Sequence, residues 1–414
     1  MSRVVIVAVG SRGDVAPLTG LGVALRQAGH RVSIAAYTPF ADMITKCSLA
    51  FRELPADLHL AADGAEVQQL KELAAFFSPS GMRTLGHDIF AALEAEPADV
   101  ALLSPFAEMS GHQWAESRGI PSAGVRLQPL SATALYPPTV LGTWSAGAAG
   151  NRAAARVGAW LVDRAYGRVM ADFRRGLGLP SASTRVLRKQ RTSANWPILH
   201  GYSPRVAPPP YDWRSGLQVT GYWWPANSGE WIPPAELTHF LSEGPAPVFV
   251  GFGSMMTTPA RAAQLSDLIR QSAAQAGVRV LVQAGWTGLN AVSDTVMTIG
   301  DTPHDWLFPR VAAVAHHCGA GTTAAGLRAG IPAIALPAYG DGPFWAARLN
   351  ALGVSAATIN QRHVTVDRLA AAMSTAVNDQ HLRDNARRLS ADIAAEDGAA
   401  AAVAAVESLL QHTT

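Results

Sequence analysis

The segment Val311–Thr323, which reads VAAVAHHCGAGTT, decides the fold of this chain. Its apolar part is typical of a buried strand, two histidines stand at the strand end, and small residues lead into a predicted helix, Thr322–Ala329. The first N–H groups of a helix have no partner within the helix and carry a partial positive charge, so they favour an anion. The small turn residues let a ligand reach the backbone, and an imidazole can add a donor. The segment therefore predicts an α/β unit with the chemistry to hold a diphosphate without a metal.

Strands alternate with helices in both halves of the chain, with short links. Such alternation implies right-handed crossovers and mainly parallel sheets that helices cover on both faces. The predicted fold class is therefore α/β, with two Rossmann-like, doubly wound parallel-sheet domains that face each other across a cleft. The predicted strands are Arg3–Val9, Arg31–Tyr37, Val100–Ser104, Ser122–Arg126, Val248–Phe252, Val278–Gln283, Val296–Ile299, Val311–Ala315, Ile331–Leu336 and Val354–Ile359.

A stretch dense in proline, tryptophan and glycine, residues 204–234, separates the two halves and predicts a stiff domain linker. The expected divisions are a first domain at 1–205, a linker at 206–240, a second domain at 241–395 and a terminal helix at 396–414 that packs back on the first domain. Ligands of doubly wound sheets bind at the carboxyl ends of the strands, so the site is expected in the cleft, where closure motions are also expected.

The composition limits the classes of function. Among 414 residues, 49% are hydrophobic and 15% are charged, as in a globular chain with large cores. Two cysteines far apart argue against a disulfide framework or a structural zinc site, and a net charge of +2 indicates neither nucleic acid nor an anionic membrane as partner. The first residues read as a strand rather than a signal peptide, and Gly398–Val406 is too short to span a bilayer. We expect a cytoplasmic protein without stable membrane insertion, either monomer or homodimer.

The two adjacent histidines cannot both point into the cleft, because side chains alternate across a strand. One is expected to face the cleft and the other to pack. A pair of packed histidines is the alternative, but the Gly319, Ala320 and Gly321 turn favours a phosphate contact. Thr322 is expected to cap the helix and to bind the anion as well.

The first turn of the chain, Gly10–Pro17, follows the first strand and lacks the spacing of a dinucleotide fingerprint. The second strand also ends without the acidic residue that binds ribose, so the first half does not indicate NAD. Asp14 stands at the mouth of the cleft, where a carboxylate can accept a proton from an attacking hydroxyl. The local alternative is a helix N-cap, which the local residues alone favour.

Other candidates follow the remaining strands of the second half. Ser254 ends the Gly251–Met255 turn, which should lie beside the histidine strand, and can donate to an anion. Asp341 can accept hydrogen bonds from sugar hydroxyls, although an ordinary turn aspartate is the alternative. Trp286 is a candidate for stacking on a base, as is Trp306, although packing is the usual role of such aromatics. Thr302 is a further candidate nucleoside contact.

Two stretches, 78–86 and 127–149, interrupt the alternation and are expected to be long irregular loops that select the acceptor. Aromatic side chains in and near such loops suit a flat or greasy substrate, although each of them is equally compatible with the core. The candidate acceptor contacts are Ser11, Phe77, Trp114, Tyr136 and Trp144.

Taken together, the chain resembles the bacterial natural-product glycosyltransferases of the GT-B fold, which decorate glycopeptide, macrolide and polyketide antibiotics, and the related sterol glucosyltransferases. The resemblance covers nearly the whole chain and is carried by many motifs in order. They are Gly10–Asp14, Gly221–Trp223, Val250–Ser254, Ala284–Trp286, Leu307–His317, Gly319–Thr323, Arg328–Pro332, and Asp341 with Trp345.

The resemblance implies a first domain that binds the acceptor and a second that binds a nucleoside-diphosphate sugar. It implies that the turn from His317 to Thr322 meets the diphosphate, with Ser254 nearby, that Asp341 reaches the sugar, and that Asp14 is the general base. The implied reaction is an inverting, metal-independent transfer from a UDP- or TDP-sugar to a hydroxyl of a hydrophobic aglycone in antibiotic or secondary-metabolite biosynthesis, without a further cofactor. A sugar-nucleotide epimerase on the same fold and a non-catalytic partner of another transferase are the alternatives.

Two positions depart from the family pattern. The family usually has glutamine after the aspartate, where this chain has Gly342, and the loss of that amide suggests a donor with fewer hydroxyls, such as a deoxysugar. The small residue that usually follows the paired histidines is Cys318 here, which we expect to be tolerated because cysteine is small and packs well.

Overall fold

The computed structural model describes residues 1–55, 71, 74–226, 231–253, 255 and 257–411. Within these residues, two all-parallel sheets form, one of seven strands and one of six. The first has the order β3-β2-β1-β4-β5-β6-β7 and the second β10-β9-β8-β11-β12-β13. The strands are β1 Arg3–Val7, β2 Arg31–Tyr37, β3 Ala50–Leu54, β4 Val100–Leu103, β5 Ser122–Arg126, β6 Ile198–His200, β7 Leu217–Val219, β8 Val248–Gly251, β9 Val280–Gln283, β10 Val296–Ile299, β11 Ala313–His316, β12 Ala333–Ala335 and β13 Ser355–Thr358.

Helices cover both faces of each sheet, as the continuous apolar strands require. In β1, Val4 and Ile6 join one buried cluster while Val5 and Val7 join another on the opposite face. Each such fully buried side chain stabilises the fold by about 1.5–3 kcal/mol. The helices are α1 Arg12–Gln27, α2 Ala41–Lys46, α3 Pro79–Glu94, α4 Glu108–Arg118, α5 Gly147–Gly176, α6 Thr184–Ser193, α7 Ala235–Ser242, α8 Pro259–Ala276, α9 His304–Leu307, α10 Ala320–Ala329, α11 Gly342–Ala351, α12 Val366–Asn378, α13 Gln380–Ala394 and α14 Gly398–Gln411. The α/β class with two doubly wound sheets is therefore confirmed.

The stretch 78–86 is helical, so the expectation of an irregular loop there is wrong. Ser78 is the N-cap of α3 and its hydroxyl accepts from the Gly81 amide at 3.1 Å. Gly81 and Gly86 obscured the helical pattern, and the reason for Gly86 is tertiary. A Cβ at Gly86 would come within 2.0 Å of the Phe173 ring, so the glycine lets α5 approach α3. The other stretch, 127–149, is largely irregular and contains one short 3₁₀ turn before α5 begins.

The segment 206–240 is more than a connector. Its residues Leu217–Val219 form β7, which pairs with β6 and extends the first sheet, and α7 begins at Ala235. Proline and tryptophan flank these elements and masked their short apolar cores in the sequence. The terminal helix α14 packs against α1, with Ala402 and Val406 buried in the same cluster as Leu18. No helix in the described part of the chain is long and apolar enough to cross a membrane.

Each sheet has one point at which the strand order reverses. In the first sheet the chain leaves β1 toward β2 and β3 and later returns to the other side of β1 with β4. In the second sheet, β8 and β11 are neighbours in the same way, with Gly251 paired to His316. The loops after two such strands diverge to opposite faces and leave a crevice at the carboxyl edge. The ends of β1, β8 and β11 therefore define where a ligand can enter.

Candidate active site

The two histidines at the end of β11 have different environments, as the alternation of side chains predicts. His316 is buried, with 1% of its surface exposed, and its Nδ1 accepts from the Cys318 amide at 3.2 Å. His317 is half-buried at the crevice beside β8. Burial lowers the pKa of His317 to about 4, so its imidazole is neutral near pH 7 and carries one N–H donor.

Two glycines make the space for the His317 ring. A Cβ on Gly319 would come 2.5 Å from His317 Nε2, and a Cβ on Gly253 would come 3.0 Å from its Cε1. Gly253 also has a φ of 58°, in the left-handed region that glycine adopts most easily. These two glycines therefore seat the imidazole, whereas the sequence had suggested that they leave room for a ligand.

The turn after His317 leads directly into α10. Gly319 is the N-cap, and the first helical bond runs from the Thr323 amide to the Gly319 carbonyl at 3.0 Å. The amides of Ala320, Gly321 and Thr322 make no hydrogen bond to the described residues. The helix begins two residues earlier than expected, so Thr322 lies in the first turn and does not cap it. A Cβ on Gly321 would meet no atom of the described residues within 4 Å, so this part of the turn is open among them.

Two buried polar atoms beside this turn lack partners. His317 Nδ1 and Thr323 Oγ1 are both inaccessible to solvent and find no hydrogen-bond partner in the parts of the chain that the structure describes. A buried polar group left without a partner costs about 1–3 kcal/mol. The free amides and the neutral imidazole together form a set of donors suited to an anion.

The backbone conformation and the burial at Cys318 both favour a small residue at this position. Its φ is 65°, a left-handed conformation that disfavours most side chains. The thiol is nevertheless fully buried in the cluster that includes Ala335 and Trp345, and burial raises its pKa to about 12. The cysteine fits the space, at the cost of a conformation that glycine would adopt more easily.

Asp14 lies in the first turn of α1, at the carboxyl end of β1. Ser11 is the N-cap, and both its amide (2.8 Å) and its hydroxyl (3.0 Å) donate to Asp14 Oδ2. Asp14 therefore is not the N-cap itself, and its carboxylate closes a capping box. Gly10, with a φ of 149°, makes room for it, because a Cβ there would come 2.4 Å from Oδ2. Burial raises the pKa of Asp14 above its usual value despite these donors.

Asp341 lies on the other side of the cleft, in the loop after β12. The indole N–H of buried Trp345 donates to its Oδ2 at 2.7 Å and fixes the carboxylate. Burial, and to a lesser degree the charge of Asp14, raise the pKa of Asp341. The two carboxylates, one from each domain, are therefore close enough to sense each other.

Gly342 has a packing reason of its own. It is the first residue of α11, it is buried, and a Cβ would come 2.8 Å from the His317 carbonyl oxygen. A side chain at this position would push α11 away from the histidine turn. The glycine is thus tied to the close approach of two elements, and its presence alone does not indicate which sugar is bound.

Gln128 is a residue that the sequence did not single out. It follows β5 by two positions and lies at the same edge as Asp14. Its side-chain amide interacts with both Asp14 and Asp341 and favours their charged forms. The only signal in the sequence was its place just after a strand end in an irregular loop, which many residues share.

The remaining donor-side candidates also follow strand ends. Trp286, after β9, is 43% exposed and its amide donates to the Gly253 carbonyl at 3.4 Å. Thr302, after β10, is buried and its hydroxyl donates to the Gly300 carbonyl at 3.2 Å. The expectation for Ser254 lies outside the described residues.

The acceptor-side candidates are dispersed. Tyr136 packs against Phe344 of the second domain, with ring centroids 5.2 Å apart, and so lies across the cleft. Phe77 and Trp144 are 40% and 45% exposed. Trp114 is not brought to the cleft, because it lies on α4 and its ring is buried in the core beneath the first sheet. Ser11 contacts Asp14 as described above.

Each half of the chain matches the model of a known protein family. The description "Glycosyltransferase family 28 N-terminal domain" matches residues 4–137, and "Erythromycin biosynthesis protein CIII-like, C-terminal domain" matches residues 272–409. The division between the two matches agrees with the presence of two sheets.

Among relatives, the chain is 31% identical to sterol 3-beta-glucosyltransferase UGT80A2 of Arabidopsis thaliana, over 97% of this chain and 65% of the plant protein. It is 29% identical to sterol 3-beta-glucosyltransferase of Saccharomyces cerevisiae, over 98% of this chain and 35% of the yeast protein. The chain thus spans between about a third and two thirds of the length of these two relatives.

Among solved structures, the chain is similar to the glycosyltransferase VinC in complex with DTDP, with a TM-score of 0.71 and 17% identity, over 99% of this chain and all of VinC. At this identity the likeness shows the fold alone. The matched family models, the relatives and the shared architecture together show that the chain has the two-domain GT-B fold and is similar to glycosyltransferases over nearly its whole length.

Proposed function

We propose that this chain transfers a sugar from a uridine or thymidine diphosphate sugar to a hydroxyl of a hydrophobic acceptor, with inversion at the anomeric carbon and without a metal. The observation that carries the proposal is the meeting of Asp14, from the first domain, with Asp341 and the histidine turn of the second. One side of the cleft offers a base, and the other offers donors for an anion.

In the proposed reaction, Asp14 accepts the proton of the acceptor hydroxyl while its oxygen attacks the anomeric carbon. The bond from that carbon to the diphosphate oxygen breaks on the opposite side, and the electron pair leaves with the nucleoside diphosphate. A carboxylate with a raised pKa is a stronger base than an ordinary aspartate. The leaving diphosphate gains negative charge, which the free amides of α10 and the His317 imidazole stabilise.

Asp341 is proposed to accept hydrogen bonds from the donor sugar. Trp345 holds the carboxylate in place, so its orientation is set before the sugar binds. Trp286 and Thr302 remain proposed nucleoside contacts. A deoxysugar donor remains a proposal too, and a strict preference for UDP-glucose over TDP-deoxysugars would contradict it.

The proposed acceptor is a polycyclic, lipophilic alcohol, such as a sterol-like compound or the aglycone of a secondary metabolite. Relatives at 29% and 31% identity over nearly the whole chain are named for sterol glucosylation. Tyr136 crosses the cleft beside Phe344 and supplies apolar surface between the two domains. Phe77 and Trp144 are proposed as outer contacts.

The proposal is tested by mass spectrometry of products from UDP-glucose, TDP-glucose and TDP-rhamnose, each with a sterol, a macrolide aglycone or no acceptor. The expected result is an acceptor–sugar adduct with inverted anomeric configuration, formed equally well with a chelator present. Epimerised or released nucleotide formed at the same rate without acceptor would favour the epimerase instead. No turnover with any pair, despite donor binding, would favour a non-catalytic partner.

Gly321→Ala separates binding of the diphosphate from stability. Alanine favours a helix by about 0.5–1 kcal/mol over glycine, and none of the residues that the structure describes has an atom within 4 Å of the new Cβ, so the melting temperature should hold or rise. The new methyl group adds bulk in the turn where the diphosphate is proposed to bind, so affinity for UDP or TDP should fall by about tenfold. Gly326→Ala in the same helix is the matched control and should leave affinity unchanged. Calorimetry showing equal affinity for Gly321→Ala would place the diphosphate elsewhere.

Gln128→Leu removes the side-chain amide that interacts with both carboxylates while it keeps a similar volume. Because that amide lowers the pKa of both Asp14 and Asp341, its loss should raise the pKa of Asp14 further. The acid limb of the kcat profile should then move to higher pH by about one to two units, and the loss of kcat should be confined to pH values near that limb. Gln264→Leu, at an exposed glutamine, is the control. An acid limb that stays in place would remove Gln128 from the site.

A further inference from the structure

The helix α5 is built with its large apolar residues outward. Between Arg152 and Arg168 none of its residues is buried, although the helix has thirty residues and packs on α3, α4 and α6. Val157, Trp160 and Leu161 are 56%, 58% and 55% exposed. A helix that served only the core would turn these side chains inward.

The exposed residues form two adjacent rows at four-residue spacing. One row is Ala153, Val157, Leu161 and Ala165, and the other is Arg156, Trp160, Arg164 and Arg168. We call these eight residues the α5 outer face. It is about 22 Å long, from the helical rise of 1.5 Å per residue.

The face is basic, and its charges are not neutralised. Arg156, Arg164 and Arg168, with exposed Arg185 and Lys189 on neighbouring α6, have no acidic partner in the described part of the chain. Asp163 and Asp172, the two acids between residues 147 and 193, are already paired with arginines. That stretch holds ten basic residues and two acidic ones. Arg152 and Arg174 pair with Asp212 and Glu116 outside it, so an excess of six positive charges remains in a chain whose total is +2. The small total conceals this asymmetry.

The face continues into the loop before α5. Asn151, at the start of the helix, donates from Nδ2 to the Ala134 carbonyl at 2.9 Å and ties the loop to it. This loop exposes further apolar side chains, with between 45% and 57% of their surface accessible. They are Leu135, Val140, Leu141 and Trp144.

We propose that the α5 outer face, with the adjoining loop, docks the protein on the surface of a membrane that contains anionic phospholipid. Tryptophan and leucine would enter the boundary between headgroups and acyl chains, while the arginines lay their stems along it and place their guanidinium groups at the phosphates. Arginines one turn apart repel one another, and anionic headgroups relieve that repulsion. A single convex helix face can lie on the deformable surface of a bilayer. The helix does not cross the bilayer, so the proposed docking is interfacial.

Co-flotation of the full chain with vesicles tests the proposal without any substrate, so its outcome is independent of the proposed function. The protein should float with vesicles of 70% phosphatidylcholine and 30% phosphatidylglycerol, less with pure phosphatidylcholine, and less again at high salt. Binding of wild type that ignores both lipid charge and salt, or no binding at all, would overturn the proposal.

Variants locate the surface. Each cation near an anionic membrane contributes roughly fivefold in binding, so Arg156→Gln, Arg164→Gln and Arg168→Gln together should weaken it about a hundredfold. Leu161→Ser should weaken it by about tenfold through lost apolar contact. The matched controls lie in the second domain: Arg362→Gln, Arg368→Gln and Arg388→Gln together, and exposed Val292→Ser. If the control variants lose as much vesicle binding as the α5 variants, the face does not dock on lipid. The same conclusion follows if the α5 substitutions dissociate a dimer and leave vesicle binding unchanged.

Discussion

Replacing Asp14 by asparagine is expected to lower kcat by roughly two to four orders of magnitude, the usual range for loss of a general base. The shape of the site is kept, because asparagine can still accept from the Ser11 amide and hydroxyl. The proton of the acceptor hydroxyl, however, would have no acceptor at the moment of attack. The measurement is steady-state turnover with saturating donor and acceptor, alongside calorimetry with UDP or TDP.

The pH dependence of the wild type gives a second test of Asp14. Its raised pKa means that activity, which needs the charged form, should fall as pH drops through a value above the 3.8 of an ordinary aspartate. The same shift means that the fold favours the neutral form, so the asparagine variant should be no less stable than wild type at neutral pH. The variant should keep its affinity for nucleotide and lose the acid limb. Unchanged turnover would move the base to another residue.

Replacing His317 by alanine is expected to weaken binding of UDP or TDP by about ten- to a hundredfold. A hydrogen bond to a charged group contributes about 1.5–3 kcal/mol, and the imidazole is the side chain seated between Gly253 and Gly319. A bound diphosphate should also raise the pKa of His317 from about 4, so wild-type affinity should increase as pH falls. The alanine variant should lose that increase.

Two controls separate the role of His317 in binding from a role in folding. His317→Gln keeps a donor and should recover part of the affinity, whereas loss of packing alone would not be relieved in this way. His363→Ala, at an exposed histidine of the second domain, should bind nucleotide as wild type does. Isothermal titration that finds the same dissociation constant for His317→Ala and wild type would take the imidazole out of the diphosphate site.

Much of the architecture could be predicted from local patterns. The strands Arg31–Tyr37, Ser122–Arg126 and Val296–Ile299 and the helix Pro259–Ala276 have the bounds that their apolar periodicity and end residues predict. The elements that were missed are short strands such as Ile198–His200 and helices that glycines interrupt. Their signals are weak because packing with distant residues, rather than local preference, stabilises them.

The sequence identified candidate residues at strand ends, but not the contacts between them. Asp14, His317 and Asp341 each stood at a strand end, which the sequence could identify. Three features required contacts between residues far apart in the chain or in neighbouring elements. They are the room that Gly319 leaves for the His317 ring, the close approach of Gly342 to the His317 carbonyl, and the interaction of Gln128 with two carboxylates. Trp114 was a candidate acceptor contact because it is aromatic, but the structure buries it in the core.

The sequence by itself determined the class of fold and the chemistry at each strand end, because both depend on residues close together in the chain. Tertiary structure alone decided which of those strand ends meet, which imidazole faces the crevice, and which face of α5 stays outside. The physical reason is that hydrophobic periodicity reflects which side chains are buried within a single helix or strand, and so reports local structure. The spacing of Asp14 from Asp341 depends instead on how two separate cores pack, over more than three hundred residues of chain.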